Sequence, residues 1–194
     1  MSVSSRRRAL MCAGLATALI AAIVPGATLA KKPAHPAGLS GSFPGLFTTI
    51  GSRVWFSARD AKGEEPWITD GTTAGTHRVK DLEPGSESSQ VQWFLPIGRK
   101  VLVAATTTAA GMELWISNGK AAGTHLVKDI RPGPDSANPL DAAMLGSIAI
   151  FGASDGIHGS ELWRTDGTAR GTRMVKDLVV GPDTSIPDHF EAVG

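Results

Sequence analysis

The sequence predicts an all-β, propeller-like array of three four-stranded blades plus one extra strand. Three observations lead there. First, one block occurs three times, as EPWITDGTTAGTHRVKDL from Glu65, ELWISNGKAAGTHLVKDI from Glu113 and ELWRTDGTARGTRMVKDL from Glu161, so that Trp67, Trp115 and Trp163 stand 48 residues apart. Second, each unit breaks into four short stretches suited to strands, separated by Gly, Pro, Asp and Ser. Third, no sustained helical period occurs beyond the first thirty residues.

Those thirty residues read as a signal peptide. Basic MSVSSRRR precedes the apolar run ALMCAGLATALIAAIV, which is too short to span a bilayer comfortably and ends at Pro25-Gly26. Small Thr28 and Ala30 then occupy the positions a signal peptidase reads, so cleavage is expected after Ala30, by the general or the twin-arginine route. Cys12 is the sole cysteine and lies inside this segment, which leaves the exported chain without disulfides or thiol chemistry. Losing Arg6, Arg7 and Arg8 lowers Lys+Arg from 19 to 16 against 18 acidic residues, a net charge of about −2. That balance offers no basic patch for nucleic acid, and no membrane span is expected after cleavage. Residues 31–45, KKPAHPAGLSGSFPG, read as a flexible Pro/Gly/Ser linker.

The folded domain is expected over residues 46–194, with repeat cores at about 47–93, 94–141 and 142–189. In each unit RVWFSA, KVLVAA or IAIFGA is an apolar run fit for a strand buried on both faces. PWIT, LWIS or LWRT forms the next strand and meets HRVKDL, HLVKDI or RMVKDL across a DGTxxGT-type connection. Gly71, Gly119 and Gly167 supply the turn with its freedom of φ, and Gly75, Gly123 and Gly171 recur four residues later. The remaining strand ends in FTTIG, FLPIG, AAMLG or FEAVG and is read as the fourth of its unit, after an exposed loop such as EPGSESSQ. Four copies of it against three units give the extra strand. The recurring tryptophans are expected between blades, as large rigid fillers.

The units resemble those of the bacterial ELWxxDGT repeat proteins. Glu161 to Thr168 matches the name-giving motif at every position, and Gly171-Thr172 and Val175-Lys176-Asp177 follow as they do in that family. Pro66 departs from it in the first unit, and Asn118 and Lys120 in the second. The resemblance implies an exported, propeller-like protein and brings no common activity with it.

Chemistry is sparse in the repeat. Asp70, Asp166, Asp81, Asp129 and Asp177 supply carboxylates at fixed spacing, but no DxDxDG run is present and the turn residue is Asn118 in the second unit. Turn and ladder roles are therefore expected for them, with no metal and no cofactor. His77 and His125 give way to Arg173 at the equivalent place, which suits a surface strand position better than proton transfer. His158 and His189 come with no motif, and nothing resembles GxSxG or HExxH. Trp93 reads as an added core residue.

The expected function is an exported, non-enzymatic repeat scaffold in the periplasm, at the cell surface or outside it, acting as a binding or interaction module for an unknown protein or glycan ligand. Its contacts are expected in the loops where the units differ, 58–65, 105–112 and 153–160, together with the loops after each PG or GP. One alternative is a fragment or subunit of a larger propeller, since three blades fall short of the four to eight of closed rings and two copies would close a six-bladed one. A second is a glycan-active propeller enzyme.

Overall fold

The computed structural model describes residues 41–190, and the expected signal peptide, its expected cleavage point at Ala30 and most of the expected linker lie outside them. Twelve strands form three antiparallel four-stranded sheets. The first holds β1 (Gly45–Ile50), β2 (Arg53–Asp60), β3 (Gly63–Thr69) and β4 (His77–Arg78) in sequence order. The second repeats the order with β5 (Trp93–Ile97), β6 (Lys100–Thr107), β7 (Gly111–Ser117) and β8 (His125–Lys128). The third does so with β9 (Leu140–Leu145), β10 (Ile148–Ser154), β11 (Ser160–Thr165) and β12 (Arg173–Lys176). The described residues are all-β, built of propeller-like blades that do not close into a barrel.

The strand phase differs from the expectation. The FTTIG-type strand opens each sheet instead of closing it, because a two-residue turn at Gly51, Gly98 or Gly146 returns the chain at once onto the following strand. The first copy, β1, thereby completes the first sheet. The fourth copy begins at Phe190, which is not in a strand, and its other residues lie outside the described ones. The described end of the linker is also tied down, since the Arg59 N–H donates to the Ser42 carbonyl at 2.8 Å.

Side chains alternate between the two faces of every sheet, and both faces of the middle blade are covered. Between the first and second blades, Trp55, Ile68, Val79 and Leu82 meet Phe94, Val101, Val103 and Ala105. Trp55 and Phe94 pack there with ring centroids 5.9 Å apart. Between the second and third blades, Ile97, Leu102, Ile116 and Val127 meet Ala149, Phe151, Ala153 and Trp163. Trp93 adjoins this second core and donates its indole N–H to the Pro139 carbonyl at 3.0 Å.

Candidate interaction surfaces

The repeated turn is held by side chains that the motif specifies. In the first unit Asp70 Oδ1 accepts the Thr72 N–H at 2.9 Å and its hydroxyl at 2.7 Å, and Thr72 Oγ1 accepts the Gly75 N–H at 3.0 Å. Those hydrogen bonds hold the exposed Asp70 carboxyl below its usual range. Gly71 carries φ +88°, while Gly75 is required for space, since a Cβ there would meet the Asp70 carboxylate. Asp166, Thr168 and Gly171 repeat the arrangement. In the second unit Lys120 has no hydroxyl, so the Gly123 N–H turns to the Lys120 carbonyl at 3.0 Å and the chain makes a short 3-10 turn over Ala121–Gly123.

A second repeated device was missed in the sequence. Glu65, Glu113 and Glu161 are all fully buried, each on the central strand just before the recurring tryptophan. Their carboxylates hold the segment that follows the outer strand: Leu82, Arg131 and Leu178 each donate a backbone N–H at 2.9 Å. Burial without a cation pushes Glu65 and Glu113 up to about 7, against the pull of these N–H donors, with Asp81 and Asp129 adding repulsion. At Glu161 burial raises the carboxyl too, but the Leu178 N–H and the hydroxyl and N–H of Ser185 outweigh it and hold it low. The signal was present: this Glu recurs unchanged where its neighbour switches from Leu to Pro66.

The aspartates of the KD pairs sit after the outer strands, near these glutamates. Asp81 lies 3.6 Å from Lys62, and Asp129 accepts the Gly133 N–H at 3.3 Å. Among the described residues no group of three His, Asp or Glu is placed to hold a metal ion. His77, His125 and Arg173 are exposed on their strands. His158 pairs with Asp155 at 2.7 Å, which raises its imidazole and fastens the hairpin before β11. His189 is exposed beside Asp188, 3.1 Å away.

The lysines of the KD pairs do something the sequence did not suggest. Lys80 reaches across to the next blade, donating to the Thr124 carbonyl at 2.7 Å with its ammonium 6.0 Å from the Trp115 ring centre. Lys128 repeats the move on the third blade, at 3.0 Å from the Thr172 carbonyl and 5.7 Å from Trp163. Each interface therefore carries one lysine staple and one cation–π contact.

Two of the three stretches expected to be ligand loops are mostly strand, and in the third a connection over 155–159 exposes Ile157. Residues 58–65 and 105–112 belong to tight hairpins, and Ala58, Glu65, Ala105 and Ala153 are buried. The segments after each PG or GP are likewise bound down, as when Ser88 and Ser136 accept the N–H groups of Glu64 and Met112. An open hollow of about 370 Å³ lies between Glu83 and Glu87 of the first unit and Thr106, Thr108 and Pro134 of the second, and two others lie at the ends of the stack. On the first blade an open hollow of about 310 Å³ is walled by Phe56, Ala58 and Trp67, with Phe47 stacked on Phe56 and still 65% exposed. On the third, a hollow of about 310 Å³ gathers Arg164, Arg170 and Arg173 around Asp166, at places where the other units carry Ile, Ala and His. The same end exposes Leu145, Val175 and Leu178. No protein-family model and no curated protein matches the chain.

Proposed function

We propose that this chain is an exported, non-enzymatic ELWxxDGT-type repeat scaffold that works by binding through the uncovered ends of its blade stack. One observation carries the reading: apolar positions that form the buried inter-blade cores recur on the two end faces, where Phe47, Leu145, Val175 and Leu178 are exposed among the described residues. The motif itself supports the family assignment, and the apolar leader before Ala30 supports export. Buried carboxylates, the usual material of a glycan-cleaving site, are each engaged in holding the chain's own backbone.

The test pairs turnover with binding. The purified chain is incubated with a panel of chromogenic glycosides, and in parallel is run in native gels cast with neutral and acidic polysaccharides and assayed for self-association. Association of either kind that weakens in Phe47→Ser, with no glycoside hydrolysed, is the expected result. Hydrolysis abolished by Glu113→Gln or Glu161→Gln would overturn the scaffold reading in favour of an enzyme.

A further inference from the structure

We infer that the partner of the two open faces is a second copy of this chain, docked head to tail so that the third blade of each protomer covers the first blade of the other. This rests on the scaffold reading and names the occupant of its end faces. The argument is positional. Each blade has a forward face, turned to the next blade, and a rear face, turned to the previous one.

The forward face is built from five equivalent positions. In the first blade they hold Ile50, Trp55, Ile68, Val79 and Leu82, and in the second Ile97, Leu102, Ile116, Val127 and Ile130, all within the inter-blade cores. In the third blade the same positions hold Leu145, Ile150, Arg164, Val175 and Leu178. Four of the five are apolar, and Leu145, Val175 and Leu178 are 64, 49 and 50% exposed, where their counterparts are buried or half-buried. The rear face of the second blade offers Phe94, Val103, Ala105 and Trp115, and the first blade offers Phe47, Phe56, Ala58 and Trp67 at those places, Phe47 exposed and half-buried Trp67 walling an open hollow, while Phe56 and Ala58 lie buried beneath residues 42–47. What fits a forward face is a rear face of this kind, and a second copy supplies both missing halves at once.

Polar details select the same pairing. Lys176 stands where Lys80 and Lys128 stand, exposed at the end of β12 with no side-chain hydrogen-bond partner among the described residues. Its two counterparts each use a Thr carbonyl and a Trp ring on the next blade. The corresponding acceptors on the first blade are the Thr76 carbonyl and Trp67, which no lysine reaches among the described residues. The turn glycines tell the same story: a Cβ on Gly119 would lie 3.4 Å from Ile68 and one on Gly167 2.7 Å from Ile116, whereas Gly71 has nothing within 4 Å. In the docked pair the residue facing Gly71 is Arg164, next to the carboxylate of Asp70. An arginine in place of the usual Ile thus meets an aspartate, which the turn of the second blade, with Asn118, does not provide.

Ring size agrees with two copies. Two copies of the three described blades make six, within the range of about four to eight blades of closed propellers.

The test is the mass of the full chain in solution, by light scattering on a sizing column from about 1 to 100 µM, for the wild type, Lys176→Glu and Phe47→Ser. Both substituted residues are exposed, so the fold should survive, and circular dichroism checks that it has. The expected result is a discrete dimer for the wild type, with the dissociation constant raised at least tenfold in each variant. A wild-type monomer throughout, open-ended growth, or a dimer indifferent to both substitutions would overturn the proposal. The scaffold reading fails by a different observation, the hydrolysis of a glycoside, so the two can fall separately.

Discussion

Replacing Glu113 with Gln should flatten the dependence of stability on pH. The carboxyl is wholly buried, one oxygen accepts the Arg131 N–H at 2.9 Å, and the other has no partner. Burial, the leading cause, sets its value near 7 in the fold, against 4.5 for the ordinary side chain. Because the folded value is raised, the stabilisation is complete below the unfolded value and is lost as pH climbs through 7. A gap of that size makes the loss between pH 5 and pH 8 about 2 to 3 kcal/mol per site. Glu65 shares the same environment and direction, so wild type should lose about twice that, a large part of a typical domain's stability. Glutamine keeps an acceptor for the Arg131 N–H and cannot ionise. Urea titrations followed by tryptophan fluorescence at the two pH values should therefore show Glu113→Gln losing about half as much as wild type. An unchanged pH slope in the variant would refute the assignment of the raised carboxyl to this residue.

Lys128→Met removes the bond to the Thr172 carbonyl and the contact with Trp163, and should cost about 1 to 2 kcal/mol in urea unfolding. Gly167→Ala should cost about 2 to 3 kcal/mol, because its φ of +84° and the nearby Ile116 both oppose a Cβ, while Gly71→Ala, strained only in φ, should cost about 1 kcal/mol in the monomer. Thermal melts of the pair at low concentration check the order, and equal costs would count against the close packing of Gly167 on the previous blade. Lys120→Thr restores a hydroxyl to accept the Gly123 N–H and should raise stability by about 0.5 to 1 kcal/mol; no gain in the melting temperature would argue that the 3-10 turn satisfies that group fully.

What the sequence made legible was set by periodicity. A 48-residue repeat with four apolar stretches per unit fixes an all-β array of blades, because every unit must bury its faces on its neighbours. The phase of the strands was not legible, since a repeat has no intrinsic start and only the tight turns at Gly51, Gly98 and Gly146 decide which strand each FTTIG-type stretch follows onto. The buried glutamates were hidden for another reason. A charged residue beside a tryptophan reads as surface, and only the loop whose N–H groups it accepts, seventeen or eighteen residues away, reveals it as core.

The same contrast bears on where specificity can reside. Residues that recur in every unit, the glutamates, the turn glycines and the lysine staples, are occupied within the stack or between its blades. A lysine staple needs a following blade; among the described residues the third copy, Lys176, is exposed with no side-chain hydrogen-bond partner, and no lysine is placed on the first tryptophan. Arg164 departs from the isoleucine of the other units, Ile68 and Ile116, on the forward face of the third blade. A substitution confined to that place costs nothing to the internal interfaces and changes only what the end face accepts. Sequence variation in such an array is therefore most informative at the terminal blades, where a departure from the repeat acts on association and leaves folding to the copies in between.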